Sequence, residues 1–422
     1  MEQFQELGRL IENRWRVQNY SEQLFPDIAA QALAEASLPS RVDPWDIIRW
    51  VHTTPALPEQ KDIPGRFGNP PITLFTGSRF YIDVYYWLDG TTSIHQHSFT
   101  GAFQVLLGSS IHSHFSFRED RILNEHFSVG ELQLKTVNLL KVNDIKLIKP
   151  GRQYIHSLFH LDRPSATITV RTEHTPSAAL QYDYRKPYFA LNPFFQNVMM
   201  TKKLQTVSLL LGMKHKDADS MIGDLVASSD FHTTYFILQD AAHHLRNNQM
   251  DELFGLSSGK ERFNTILAKA RASHGDLVDK FQSVLEEQDR QLNIIQRRVS
   301  ITGEEHRFFL ALLLNVASRE KILQLVQQRF PEVDPVEKIL DWVEELGQTR
   351  VLGSKEPNAL GIEGFDDDYL IALEGLLKAM PPEEIRSQYQ STSDESKSPA
   401  PNLDETLAIL RNSSLFKQLD SK

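Results

Sequence analysis

The residues best suited to chemistry are three histidines: His95, His97 and His156. The first two stand in FYIDVYYWLDGTTSIHQHSF, which reads as a strand, a polar turn and a His-x-His pair. Alternate residues of a strand share a face, so this pair aims two imidazoles at one point. His156 ends the segment Pro150-Gly151-Arg152-Gln153-Tyr154-Ile155-His156, where a Pro-Gly turn leads into an apolar strand. Three neutral imidazoles suit a divalent ion and leave positions open for a substrate, O2 or a water. The plainer alternative is a set of lumen histidines that only hydrogen-bond with their neighbours.

Other polar groups lie near these in sequence. His112 and His114 form a second i, i+2 pair on the next strand, as acid/base groups, replacement ligands or a solvated outer pair. His160 follows His156 on its strand and would line the same mouth. Tyr86, Phe103, Gln104 and Tyr154 are candidate pocket walls. The sequence has no cysteine. That removes disulfides, thiolate metal sites and a Cys nucleophile, so a metal here is held by His and carboxylates.

The elements that position these residues change character along the chain. Residues 1–71 form a helical and irregular lead-in expected to pack on a barrel, with Phe4, Leu7, Leu10, Ile11 and Trp15 at helical spacing. Residues 72–190 carry short β-branched and aromatic runs between Gly, Ser, Asn and Asp, the pattern of an all-β barrel. Residues 200–380 show helical periodicity, including one long helix over 303–328 opened by a Thr302-x-x-Glu305 capping box. A polar, Ser- and Pro-rich segment, 381–402, is expected to be disordered, and 403–422 to form a short terminal helix. The expected class is α+β and multidomain: an antiparallel β-barrel followed by an all-α domain.

Composition bounds the function. The 422 residues are 41% apolar and 24% charged, with net charge −10 and pI near 5.9. This argues against nucleic acid or an anionic membrane surface as partner. No apolar run reaches the roughly 18 residues of a membrane span. The first residues are charged and helical rather than signal-like, so a cytoplasmic location is expected.

The motifs resemble those of the cupins, whose barrel is a double-stranded β-helix. The His pair, the closing Gly108, the Pro150-Gly151 turn and His156 match; where the family places a glutamate ligand, this chain has Gly101, in Ser98-Phe99-Thr100-Gly101. The three-His thiol dioxygenases, cysteine dioxygenase among them, lack that carboxylate, and YYWLDGTTSIHQH and YIHSLFH resemble their segments. The resemblance covers roughly residues 72–175. It implies Fe(II) on His95, His97 and His156, with Ni, Zn, Cu or Co as other candidates, and O2 and a small polar metabolite as substrates. The branch's Ser-His-Tyr set falls on Thr169, Arg171 and Glu173, and its substrate-carboxylate arginine has Arg66, Arg79 or Arg171 as replacements.

Two function classes follow: a cysteine-dioxygenase-like non-haem iron oxygenase, with His112, His114, His160 and Arg171 as catalytic candidates, or a non-catalytic ligand sensor acting through the helical domain. A metal-dependent isomerase or hydrolase on the same histidines is a third. The helical domain is the candidate surface for self-association or a partner. Within it Asp240, His243 and His244 are similar to a metal phosphohydrolase motif but lack a second His-Asp element.

Overall fold

Phe4, Leu7, Ile11 and Trp15 recur every three to four residues and become the buried stripe of α1 (Glu2–Val17). Helices α2 (Phe25–Ala36), α3 (Leu38–Arg41) and α4 (Pro44–Thr53) follow. The last starts where the Asp43 carboxylate accepts the Trp45 N–H and Pro44 fills the first turn. The computed structural model describes residues 1–65, 67–88, 90–173, 180–246, 259–351, 356–392 and 403–420.

The strands are β1 (Pro71–Thr76), β2 (Phe80–Trp87), β3 (Gly90–Thr91), β4 (Ile94–His95), β5 (Gly101–Leu107), β6 (Ser110–Asn124), β7 (Phe127–Leu140), β8 (Ile145–Ile148), β9 (Ile155–His160), β10 (Ser165–Thr172), β11 (Asp183–Arg185) and β12 (Phe189–Leu191). One antiparallel sheet runs β1-β2-β10-β5-β8. The other is centred on β9, which pairs antiparallel with β3, β4 and β6. Together they make the antiparallel barrel that the sequence pattern announces.

The chain divides into two compact units. One holds 1–116, 134–179 and 289–422; the other holds 117–133 and 180–288. In the first unit both outer faces of the barrel are covered by helices. Ile82, Val84, Ala102, Ile168 and Val170 join the core of α1 and α2, while Ile111 and Phe159 join the core of the C-terminal helices. Burial of both faces explains why β2 (FYIDVYYW) reads as a nearly continuous apolar and aromatic run, and why every residue of β9 is buried although three of its six are His or Ser.

The remaining helices are α5 (Val198–Gly212), α6 (Ala218–Ser228), α7 (Phe231–Arg246), α8 (Gly259–His274), α9 (Asp276–Ser300), α10 (Glu304–Asn315), α11 (Arg319–Arg329), α12 (Pro335–Gln348), α13 (Asp367–Leu377), α14 (Pro382–Thr392) and α15 (Leu403–Asn412). The second unit buries Phe127, Phe189, Phe231, Tyr235 and Phe281 in its own core. Among the described residues no helix is long and apolar enough to cross a membrane.

Several expectations are corrected. The long helix over 303–328 is two, α10 and α11, because the Ser318 side chain caps a new start by accepting the Lys321 N–H. The Thr302/Glu305 capping box does not form: Gly303 is the N-cap, and Glu305 instead accepts from Trp342 Nε1 at 2.9 Å and pairs with Lys338 at 2.7 Å. Within the expected disordered segment, Pro382–Thr392 is helix α14, and 393–402 lies outside the described residues. The linear partition into a barrel and a 200–380 domain also differs from the two units, since helices after residue 288 belong with the barrel.

Candidate metal centre

The site is built on β9 and its neighbours. His156 stands opposite His95 of β4 on one side and His114 of β6 on the other. His97 is brought in by the Pro-Gly turn: it bridges to Pro150, and its carbonyl accepts the Gly151 N–H at 2.7 Å. Gly151 has φ +67°, so the sharp entry into β9 favours glycine there. His95, His97 and His156 are all buried, and one ring nitrogen from each lies within 4.8 Å of the others.

The hydrogen bonds prepare these nitrogens. His95 Nδ1 lies 2.7 Å from the Ser93 carbonyl, so Nδ1–H donates there and the Nε2 lone pair points inward. His156 Nδ1 is 3.1 Å from His112 Nε2. His97 Nε2 and His156 Nε2 are 2.9 Å apart. Two imidazole nitrogens held at about 2.0–2.1 Å on one ion stand roughly 2.9–3.4 Å from each other, so the spacing fits a shared cation. Burial pushes His97 and His156 well below the ordinary histidine range, with the neighbouring histidines adding to it. Neutral imidazole is the form that ligates.

Around this trio, His112 is fully buried, and its Nε2 also meets the Tyr154 hydroxyl at 3.2 Å. Burial lowers its proton affinity strongly. His114 is half-buried, edge-on to Tyr154 with centroids 4.7 Å apart. His160 lies further along β9, its Nδ1 3.2 Å from Ser110 Oγ and 2.9 Å from Ser165 Oγ. It stacks on Trp87, and burial pushes it down to about 3. Phe103 walls the site, 5.8 Å from His112 and 6.4 Å from His156 between centroids.

Tyr86 and Gln104 belong elsewhere. Tyr86 packs in the helix-covered core, and Gln104 sits between Ala102 and Leu106 of the same core, on the face turned from Phe103. The Arg171 guanidinium lies over Phe99 at 3.2 Å, and Phe99 is 4.4 Å from His97. Arg79 is exposed and covers Tyr20 instead; Arg66 lies outside the described residues. The position that matches the missing glutamate is sterically closed. A Cβ on Gly101 would sit 2.0 Å from the Val170 carbonyl oxygen.

In the second unit, His244 Nδ1 is 3.4 Å from Asp240. Among the described residues only the barrel trio forms a metal-holding group. Sequence reading missed Asp83, Tyr85 and Trp87, which share the inward face of β2. The signal was there: a lone acid within the aromatic run FYIDVYYW.

No protein-family model matches this sequence, and no curated protein does. Among solved structures it is similar to hydroquinone 1,2-dioxygenase from Sphingomonas sp. TTNP3, at 11% identity and TM-score 0.20, over 26% of this chain and 68% of that one. A double-stranded β-helix protein from Klebsiella pneumoniae matches at 15% identity and TM-score 0.19, over 32% and 90%. A cupin-2 domain from Rhodospirillum rubrum matches at 14% identity and TM-score 0.19, over 36% and 80%.

Proposed function

We propose that this chain is a metal-dependent cupin oxygenase of the cytoplasm, using Fe(II) and O2 to oxidise a small polar metabolite, thiols included. The observation that carries the reading is the convergence of three buried imidazole nitrogens, with no carboxylate among them. Bound there, iron would supply the O2 chemistry that no side chain offers. The chain's own part is positional. His95, His97 and His156 would hold the ion. Ser93 and His112 fix the ring orientations of His95 and His156. Phe99, Phe103 and Tyr154 keep the lumen largely dry.

An oxygen electrode tests this on the full chain loaded anaerobically with Fe(II) and offered a panel of small thiols, alcohols and amines. Uptake that requires metal and substrate together, and is lost in His97→Ala, is the expected result. Turnover without O2 would reassign the site to an isomerase or hydrolase. Ligand binding indifferent to chelators, with no turnover, would leave a sensor.

A further inference from the structure

One acidic side chain of the barrel has no part in holding a metal. Asp83 stands mid-strand in β2 and is only 2% exposed. Its direction follows from alternation. Phe80, Ile82, Val84 and Tyr86 pack in the helix-covered core, so Tyr81, Asp83, Tyr85 and Trp87 face the lumen. Trp87 bears this out, since its ring stacks at 4.4 Å on His160, which shares the inward face of β9 with His156.

The carboxylate is half satisfied. Asp83 Oδ2 accepts the Tyr85 hydroxyl at 2.7 Å, while Oδ1 is buried with no hydrogen-bond partner. Thr73 stands opposite on β1; its hydroxyl accepts the Lys61 N–H at 3.2 Å and lies close enough to the Asp83 carboxylate to lower its proton affinity, but its geometry does not satisfy Oδ1. Burial raises the carboxyl's proton affinity, against the pull of Thr73, Tyr85 and Arg171. Arg171 is the diagonal neighbour, because Asp83 pairs with Thr169 and Tyr81 with Arg171. Its guanidinium stacks on Phe99, which in turn meets His97. A buried acceptor without a donor is uncommon and costly, and an inward-facing one beside an aromatic wall suits a ligand.

We propose that Asp83, oriented by Tyr85, is the recognition carboxylate of the lumen: Oδ1 accepts a hydrogen bond from an O–H or N–H group of the bound small molecule. The ligands it selects are alcohols and amines over ethers. The proposal rests on the reading that the lumen beside the three histidines is the binding chamber.

The test uses benzyl alcohol, benzylamine and benzyl methyl ether, titrated calorimetrically into the metal-free 422-residue chain. The alcohol or the amine should bind roughly tenfold or more tightly than the ether. Whichever leads identifies hydroxyl or ammonium as the matching donor. In Asp83→Asn the Tyr85 hydroxyl holds the amide oxygen, so the amide N–H2 replaces Oδ1: the amine, which has no acceptor, should then bind more weakly than the ether, an inversion, while the alcohol, which accepts as the ether does, should lose its advantage. Asp83→Leu should abolish the preference, and it serves if the Asn variant does not fold. Equal binding of the three probes, no binding at 10-fold the concentration of about 1 mM expected for weak ligands, or an unchanged order in both variants would overturn the proposal. Co(II) uptake is measured separately. A chain that binds no metal yet shows the inversion loses the oxygenase reading and keeps the Asp83 site; the converse loses the Asp83 site alone.

Discussion

His97 and His156 bring their Nε2 atoms to 2.9 Å inside the barrel. Two buried neutral imidazoles hold that distance by sharing a proton or a cation. His156 has one N–H to give, and its Nδ1 already faces His112. If that proton goes to His112, the Nε2 lone pair of His156 is free for an ion, and the Nε2 lone pair of His95 joins it.

In the proposed site His112 would position His156 without being a ligand itself. His112→Ala should weaken metal affinity by about 10–100-fold while leaving one site per chain at saturating metal. His112→Gln, which restores an acceptor, should recover part of the loss. A chelator-competition titration reads both. Loss of the site altogether in His112→Ala would make it a ligand.

Gly101, the position where the cupin resemblance would place a glutamate, has no room for a side chain. Gly101→Ala should cost about 1–3 kcal/mol or more, because its Cβ meets the Val170 carbonyl. Urea denaturation measures this. Gly101→Glu should be worse still and gain no metal affinity; tighter binding in that variant would show that the strand yields.

His160 gives the fold a pH dependence. Its folded proton affinity is depressed to about 3, against roughly 6.5 in an unfolded chain. Between those values the unfolded state binds one more proton, so stability falls as pH drops from about 6.5 towards 3. The slope for this one group is about 1.4 kcal/mol per pH unit. His160→Asn should flatten the metal-free chain's pH–stability curve by about that amount; an unchanged slope would contradict the assignment.

The metal trio was legible because a strand's period of two puts His95 and His97 on one face and because Pro150-Gly151 announces the turn before His156. Phe103 and Gln104 show the limit of that logic. Adjacent residues face opposite ways, and without the register to β10 their sequence does not say which is inward. The Thr302/Glu305 box failed because Glu305 had better partners in Trp342 and Lys338, far along the chain. The hairpin of β6 and β7 reads as one β-element, yet its far end, 117–133, belongs to the second unit. That division depends on long-range packing that local periodicity does not encode. Asp83 is a single acid with no spaced partner, and only the register of β2 against β1 and β10 shows that it faces inward.

The most direct test of the central claim is elemental analysis of the tag-free full chain after anaerobic Fe(II) loading, for wild type, His156→Ala and His97→Ala. Close to one iron per chain is expected in wild type and a loss of it in both variants, with folding checked by circular dichroism. Wild-type protein that takes up no metal, or variants that retain it in full, would contradict the three-His centre.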